Sequence, residues 1–552
     1  MAMRRKRLGV VTDGAFNAGL TVRLDPGIST ESLRIGDFVI VEGEEYFYFS
    51  AIADLQLRAT DARVQADPPP DEASFVREVL QGTATYATVQ VKPYLMMRRP
   101  APSEPLAAAE AALAEEEGPR PVKTIPMHFA VLCEAREEDF AAVFGAEDKA
   151  HFAIGTPLTQ DIPICLDLRR FVERSNGIFG QSGTGKSFLA RLLLCGIIAK
   201  DLASNLVFDM HNEYAYSVQR EGGGWARGLR ELFGASRVLV YSLDEEMARQ
   251  EGRAVDGVLR LGLNQIEAGD VLLLADELDL TSTAQATAGL LQDRYGENWL
   301  RALLEMDAEA IQAFCAETNA HPGATEALQR KLKELARRPY IQPQAAFDQV
   351  DEMLRLLEGG KHLILQFGKH QRMLDYMLVA NIITRRIMRL YEAKWNRYLQ
   401  TRKEEDRPRQ LMITIEEAHK FLNPAAARQT IFGTIAREMR KFNVTLMVID
   451  QRPSGIDTEI LSQIGTRVTG KMTEERDIEA VLTGVGNRAF LRGALESLDT
   501  RQQVLLMGHA VPMPIVVQTR DYDEAFYQAV TEGKQDPGRP EDLAGKLEEL
   551  FG

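Results

Sequence analysis

Apolar and polar positions follow two different rhythms along the chain. Residues 34–41 (RIGDFVIV), 45–49, 85–91 and 129–133 are short runs rich in β-branched and aromatic side chains, partly alternating and punctuated by Gly and Pro. They predict a small β-barrel or sandwich over residues 1–160. Two segments interrupt it, near 61–85, with Asp67 and three prolines, and near 101–121, rich in Ala, Glu and Pro. From about residue 170 the rhythm changes to short apolar runs followed by long helical stretches. Runs at 178–179, 206–208, 238–241, 362–367, 411–415 and 444–449 suit strands covered on both faces of a parallel sheet. Their alternation with helices predicts an α/β core over 161–243 and 346–520. Residues 244–345 show no clear strand and are expected to form a helical insertion. A long charged helix is expected at 372–400 and a solvated loop at 401–410. The polar tail, 521–552, ends in an amphipathic stretch near 541–551 that packs on the core or on a neighbour.

The sharpest chemical signal is Gly180-Gln-Ser182-Gly183-Thr184-Gly185-Lys186-Ser187, a full match to G-x-x-x-x-G-K-[ST]. It follows an apolar run and opens an apolar helix beginning at Phe188, the context a phosphate-binding loop needs. The glycines let backbone N–H groups turn toward phosphate, and the helix N-terminus adds partial positive charge. Lys186 would reach the β- and γ-phosphates of ATP, and the Ser187 hydroxyl would ligate Mg²⁺.

Hydrolysis also needs acids at a strand end. Residues 411–419 (LMITIEEAH) supply a β-branched run closing on paired carboxylates. Glu416 would serve the metal side and Glu417 would polarise the attacking water. Residues 271–278 (VLLLADEL) match as a pattern, with Asp276 and Glu277 in the acidic places. Their leucines and alanine favour helix, and Glu267–Asp270 reads as a helix start. The second candidate is rejected on those grounds.

Other residues sit where an α/β sheet holds ligands. Asp209 and Glu213 follow the run 206–208 and could reach metal or water, or simply cap a turn. Gln451 lies just past the run 444–449, placed to sense a γ-phosphate or to serve ordinary turn chemistry. Arg437, Arg440 and Lys441 precede that run and Arg174 precedes the loop; the planar guanidinium suits transition-state phosphate charge. On a single subunit such arginines are surface charges. His211 and His419 have no metal-ligand spacing to Cys or His.

A chain of 552 residues exceeds one small core, and 45% hydrophobic with 26% charged residues describes a soluble globular protein. Four scattered cysteines without a C-x-x-C pair argue against zinc and disulfides and for a reducing cytoplasm. The longest apolar stretch, 188–199, is broken by Arg191 and is too short for a bilayer. The basic start at residues 1–7 meets Asp13 before any signal-type apolar segment forms. A net charge of −15 counts against a broadly basic DNA-binding surface, but only local charge meets phosphate in a pore.

The loop at 180–187, the Asp209-x-His211-x-Glu213-Tyr214 element, Glu416-Glu417-Ala418-His419, and Ala436-Arg437-Glu-Met-Arg440-Lys441-Phe442 with Gln451-Arg452-Pro453-Ser454 together resemble the HerA family of the HerA/FtsK group. The resemblance spans most of residues 125–520. It implies a RecA-like P-loop ATPase core with a helical insertion, a small N-terminal β-barrel, and a homo-hexamer with ATP between subunits. Gly180, Ser182, Gly183, Thr184, Gly185, Lys186, Ser187 and Phe188 would then line the nucleotide. Ser187, Glu416 and Asp209 would face Mg²⁺. Glu417 would activate water, and Gln451 and one of Arg174, Arg437 and Arg440 would contact the nucleotide, at least one arginine in trans. Double-stranded DNA would run through the channel, with a NurA-like nuclease or a defence effector as partner. Two departures stand out. Met439 occupies a place often held by Gly, which blurs which arginine is the finger, and the inserts near 61–85 and 101–121 are unusual for the barrel. The same core motifs also suit a regulatory ATPase that activates an effector with little translocation, or a secretion- or conjugation-type ATPase that moves protein.

Overall fold

The computed structural model describes residues 5–60, 79–80, 84–99, 118–220, 223–250, 252–345, 348–370, 372–428, 431–485, 488–500 and 502–531. The chain forms two compact units. The first is Met1–Asp167 with Leu506–Arg520, and the second is Leu168–Leu505 with Asp521–Gly552. Two sequence boundaries therefore shift. The first unit runs past residue 160, and Leu506–Arg520, assigned by pattern to the α/β core, belongs with the first unit.

In the first unit six antiparallel strands close into a barrel: Gly19–Leu24, Arg7–Ala15, Val131–Glu134, Phe38–Glu42, Tyr46–Ala59 and Thr85–Arg98, the last pairing back to the first through Leu20↔Val91. Closure leaves no long unpaired edge among them. Alternate side chains fill the interior, with Leu8, Val22, Val41 and Val89 fully buried. The strands at 46–59 and 85–98 outrun the apolar runs that predicted them, and the added stretch of the second includes buried Leu95, Met96 and Met97. The short strand Arg120–Pro121 pairs with Leu95 and Met96. Most of the two inserts lies outside the described residues.

The second unit is built on a parallel sheet. Its order is Gly257–Val258, Val238–Ser242, His362–Gln366, Ser204–Asp209, Leu411–Glu416, Val444–Asp450, Asn176–Phe179, Thr466–Thr469. All six predicted strands form, and five of them, at 176–179, 204–209, 362–366, 411–416 and 444–450, are buried at every position. Parallel strands put their C-terminal ends on one edge, so Phe179, Asp209, Glu416 and Asp450 finish close together.

Residues 244–345 are mainly helical, with helices Ser282–Tyr295, Trp299–Glu305, Ala308–Thr318 and Pro322–Ala336 around the fully buried Trp299, whose indole N–H donates to Ile266 O at 2.8 Å. The expectation of no strand there needs correction. Gly257–Val258 extends the core sheet, and Leu261–Gly262 pairs with Ile341–Gln342 to tie the start of the helical part to its end. Two-residue strands carry no periodicity, which is why the pattern misses them. The helix Met373–Thr401 holds the helical part through Arg385, whose guanidinium donates to buried Asp270 at 2.8 and 3.2 Å, and Asn381, which donates to Asp270 at 2.6 Å. After Asp521 the chain folds onto the helix Lys186–Lys200, where Tyr522 lies 3.7 Å from Cys195 Sγ. The amphipathic stretch near 541–551 lies outside the described residues.

Candidate active site

The loop 180–187 leaves the end of Asn176–Phe179 and enters the helix Lys186–Lys200. Gly183 and Gly185 both have φ of +80° with open space where a Cβ would be. That is the left-handed backbone glycine permits, and it opens a concave N–H-lined turn. The strand end at Thr466–Thr469 braces the loop: Gly470 N–H donates to Phe179 O at 2.8 Å and Gln181 N–H to Lys471 O at 3.2 Å. Two side-chain donors converge on Gln181 O, the Thr184 hydroxyl at 2.8 Å and Lys186 Nζ at 2.9 Å. Burial lowers the Lys186 pKa, and Glu417, Asp450 and Glu416 oppose that shift by their charge. A phosphate would give this ammonium a stronger partner than a neutral carbonyl. Ser182 is exposed, while Ser187 and Phe188 are half-buried at the helix start.

Glu416 ends the strand Leu411–Glu416 and is buried. Its Oε1 accepts from the Tyr214 hydroxyl at 2.9 Å, and its backbone N–H donates to the Tyr376 hydroxyl at 3.1 Å. Burial, with the nearby charge of Asp209, pushes its pKa up to about 8. Its Oε2 is buried with no hydrogen-bond partner among the described residues. Asp209 is fully buried, accepts from Glu213 N–H at 2.7 Å and Tyr214 N–H at 3.0 Å, and is likewise shifted up by burial. Thus Asp209 caps the turn after Ser204–Asp209, and that turn also delivers Tyr214 to Glu416.

Glu417 is the next residue and has φ of +49°. For a side chain with a Cβ this backbone costs roughly 1–2 kcal/mol, and such strain concentrates where a site dictates it. The turn aims the carboxylate away from the strand. Gln451 Nε2 donates to its Oε1 at 3.2 Å, and His419 Nδ1 lies 3.7 Å from its Oε2. The structure therefore brings Gln451 and Glu417 together. A carboxylate so placed can take a proton from water.

The arginines lie elsewhere. Arg174 stands two residues before Asn176–Phe179, at the opposite end of that strand from the loop, with its Nε buried and unpartnered and its stem against Gly465. Arg440 stands four residues before Val444–Asp450 and is exposed. At about 3.3 Å per residue the strands separate each from the loop edge of its own sheet. Arg437 Nη2 donates to Ala427 O at 2.8 Å.

Pattern reading assigned no role to Tyr214, Tyr376, His419 or Asp450. The strand-end position of Asp450, like that of Asp209, was a usable signal. Nothing local marks Tyr376, which arrives from the helix Met373–Thr401. The rejected run at 271–278 is helix through Leu273 and then turn, with Asp276 and Glu277 exposed.

A parallel sheet thus carries a phosphate-type loop and a strained acid at one edge. The family model described as "Helicase HerA, central domain" matches residues 152–387. The chain is HerA-like. It is 22% identical over 516 residues to the "DNA double-strand break repair helicase HerA" of Sulfolobus acidocaldarius, covering 93% of this chain and 94% of that one. With the protein of the same name from Sulfurisphaera tokodaii it shares 38% identity over 117 residues, 20% of this chain and 23% of that one. Among solved structures, VirB4 of Thermoanaerobacter pseudethanolicus aligns over 69% of this chain and 99% of its own at 15% identity, with a TM-score of 0.45. Among the described residues of this HerA-like chain no helix is long and apolar enough to cross a membrane.

Proposed function

We propose that this HerA-like chain is a Mg²⁺-dependent ATP hydrolase that works in the cytoplasm as a homo-hexameric translocase of double-stranded DNA, alongside a nuclease or a defence effector. The observation that carries the reading is Glu417, held in a strained turn at the sheet edge that also bears the loop 180–187.

The residues present fit the groups the reading requires. The glycine turn is open where phosphate would sit, Lys186 donates to a neutral carbonyl, and Glu416 Oε2 is buried with no hydrogen-bond partner among the described residues. Ser187, Glu416 and Asp209 are the residues that would face Mg²⁺. Among the described residues no set of three or more His, Cys, Asp or Glu side chains could hold an ion unaided. Magnesium at phosphate sites needs no such cage, since phosphate and water supply most ligands and the ion neutralises phosphate charge. Lys186 would orient the phosphates, Glu417 would take the proton of the attacking water, and Gln451 would report the γ-phosphate to Glu417. Arg174 and Arg440 lie at the far end of their strands from their own loop, which supports an arginine acting on a neighbouring subunit's nucleotide. The relatives named as double-strand break repair helicases support DNA as the polymer moved.

The test is the ATPase rate with and without linear double-stranded DNA, on particles whose mass is fixed by light scattering. Strong stimulation of a hexamer-sized particle is expected. An intact ring indifferent to DNA overturns translocation in favour of an ATPase regulated by its effector protein.

A further inference from the structure

Glu417 accepts a hydrogen bond on one oxygen and faces a histidine ring nitrogen at ion-pair distance on the other, and both arrangements depend on the end of one strand. Val444–Asp450 ends in Asp450, whose carboxylate is fully buried. Asp450 accepts from three directions: His419 N–H at 2.6 Å, Arg452 N–H at 2.7 Å, and His419 Nδ1 at 3.0 and 3.1 Å. These bonds fix the imidazole, and Gly455 closes the space behind it, where a Cβ would sit 3.1 Å from His419 Cβ. The same Nδ1 faces Glu417 Oε2 at 3.7 Å. The next residue on that strand's exit, Gln451, holds the other oxygen at 3.2 Å.

We propose that His419, locked by Asp450, is a positioning residue that with Gln451 fixes the rotamer of the Glu417 carboxylate for attack by water. The inference rests on Glu417 as the hydrolytic acid. His419 is not catalytic here: its Nδ1 is hydrogen-bonded to Asp450 and meets Glu417 only as a charge 3.7 Å away. The Asp450 bond and the charges of Asp450 and Glu417 favour the protonated ring against the cost of burial, which strengthens the grip on Oε2. A carboxylate on a strained turn with free rotation would spend little time aimed at water, and misplacement by about 1 Å can cost a hundredfold in rate.

A purely structural role is separable, because the cap on the short helix His419–Leu422 is the backbone N–H, which survives any side-chain change. Asn places an amide N–H near the position of imidazole Nδ1 and restores the bond to Asp450. The experiment measures steady-state ATP hydrolysis and melting temperature for wild type, His419→Ala, His419→Asn and Glu417→Gln. His419→Ala is expected to lose at least tenfold in kcat with KM for ATP near wild type and a melting temperature lowered by loss of the Asp450 pair, while His419→Asn recovers most of the rate, on the scale expected for lost orientation. A kcat for His419→Ala near wild type overturns the inference. So does Asn no better than Ala, or a rise in KM that exceeds the fall in kcat, which would place His419 with Lys186 in nucleotide binding. Glu417→Gln separates the two ideas. Substantial hydrolysis by that variant removes the reading of Glu417 itself, whereas an inactive Glu417→Gln beside a fully active His419→Ala removes only the positioning role.

Discussion

Residues 411–417 and 271–277 are both an apolar run followed by two acids, yet they fold differently. The first is a fully buried strand between Ser204–Asp209 and Val444–Asp450. The second leaves Glu267, whose N–H donates to Asp270 Oδ2 at 2.8 Å, turns as helix to Leu273, and unwinds before exposed Asp276 and Glu277. Branching decides much of this. Ile413, Thr414 and Ile415 are stiff at χ1 and suit a pleated surface, whereas Leu272, Leu273 and Leu274 lose little freedom in a helix. The helix start at Glu267–Asp270 settles the rest. Acids in a pattern are chemistry only if the strand beneath them reaches the ligand edge.

The comparison breaks most sharply at the loop it serves. Lys186→Ala is expected to abolish turnover and weaken nucleotide binding, since the ammonium is the loop's one side-chain cation, as read by ATPase assay and by titration with a fluorescent ATP analogue. Next, Glu417→Gln is expected to bind that analogue normally and lose roughly a thousandfold in hydrolysis, the scale of general-base catalysis. Asp276→Asn and Glu277→Gln are expected to stay within about twofold of wild type, as surface changes usually do. The reverse pattern would make the turn after Leu273 the true site.

The arginines sharpen the contrast between the two edges of the sheet. Arg440→Ala protein and Lys186→Ala protein are each expected to be inactive. Mixed in equal amounts and allowed to exchange, they should regain about a quarter of the wild-type rate, the fraction of randomly assembled interfaces that pair an intact loop with an intact arginine. Arg437→Ala is the control, since its guanidinium is tied to Ala427 O. No recovery with Arg440→Ala and recovery with Arg437→Ala would exchange their roles.

What was legible in the sequence follows from range. The loop 180–187, the six core strands and the acids at 416–417 are local signals, each written in under ten residues. The strand Thr466–Thr469, which braces the loop through Gly470, and Ile515–Thr519, which pairs with His151–Pro157, escaped notice. Such strands become strands through their neighbours rather than their own periodicity. The grip on the acids was legible only in part. Gln451 is marked by its place just past a predicted strand, whereas Tyr376 reaches Glu416 from 40 residues away and Asp450 acts through His419. Contacts between distant elements depend on the sheet order, and no single stretch of sequence encodes that order.

The smallest expected effect divides the two neighbouring acids. Glu416 has its pKa raised to about 8 in the fold, against an ordinary value of 4.5. Between those values the folded chain holds a proton that the unfolded chain releases, so this carboxyl costs stability progressively as pH rises through the window, and the cost is complete above it. Glu416→Gln keeps an oxygen for the Tyr214 hydroxyl and removes the charge. In EDTA and without nucleotide, its melting temperature should match wild type near pH 4.5 and exceed it by about 1–2 °C near pH 8.5, a modest shift because one group acts on a large unit. A gap that stays flat, or that reverses so that wild type gains with rising pH, would mean that Glu416 is ionised and paired in the free protein. Mg²⁺ and ATP should reverse the order, because a negative carboxylate buried without a partner is a liability only until a cation faces it.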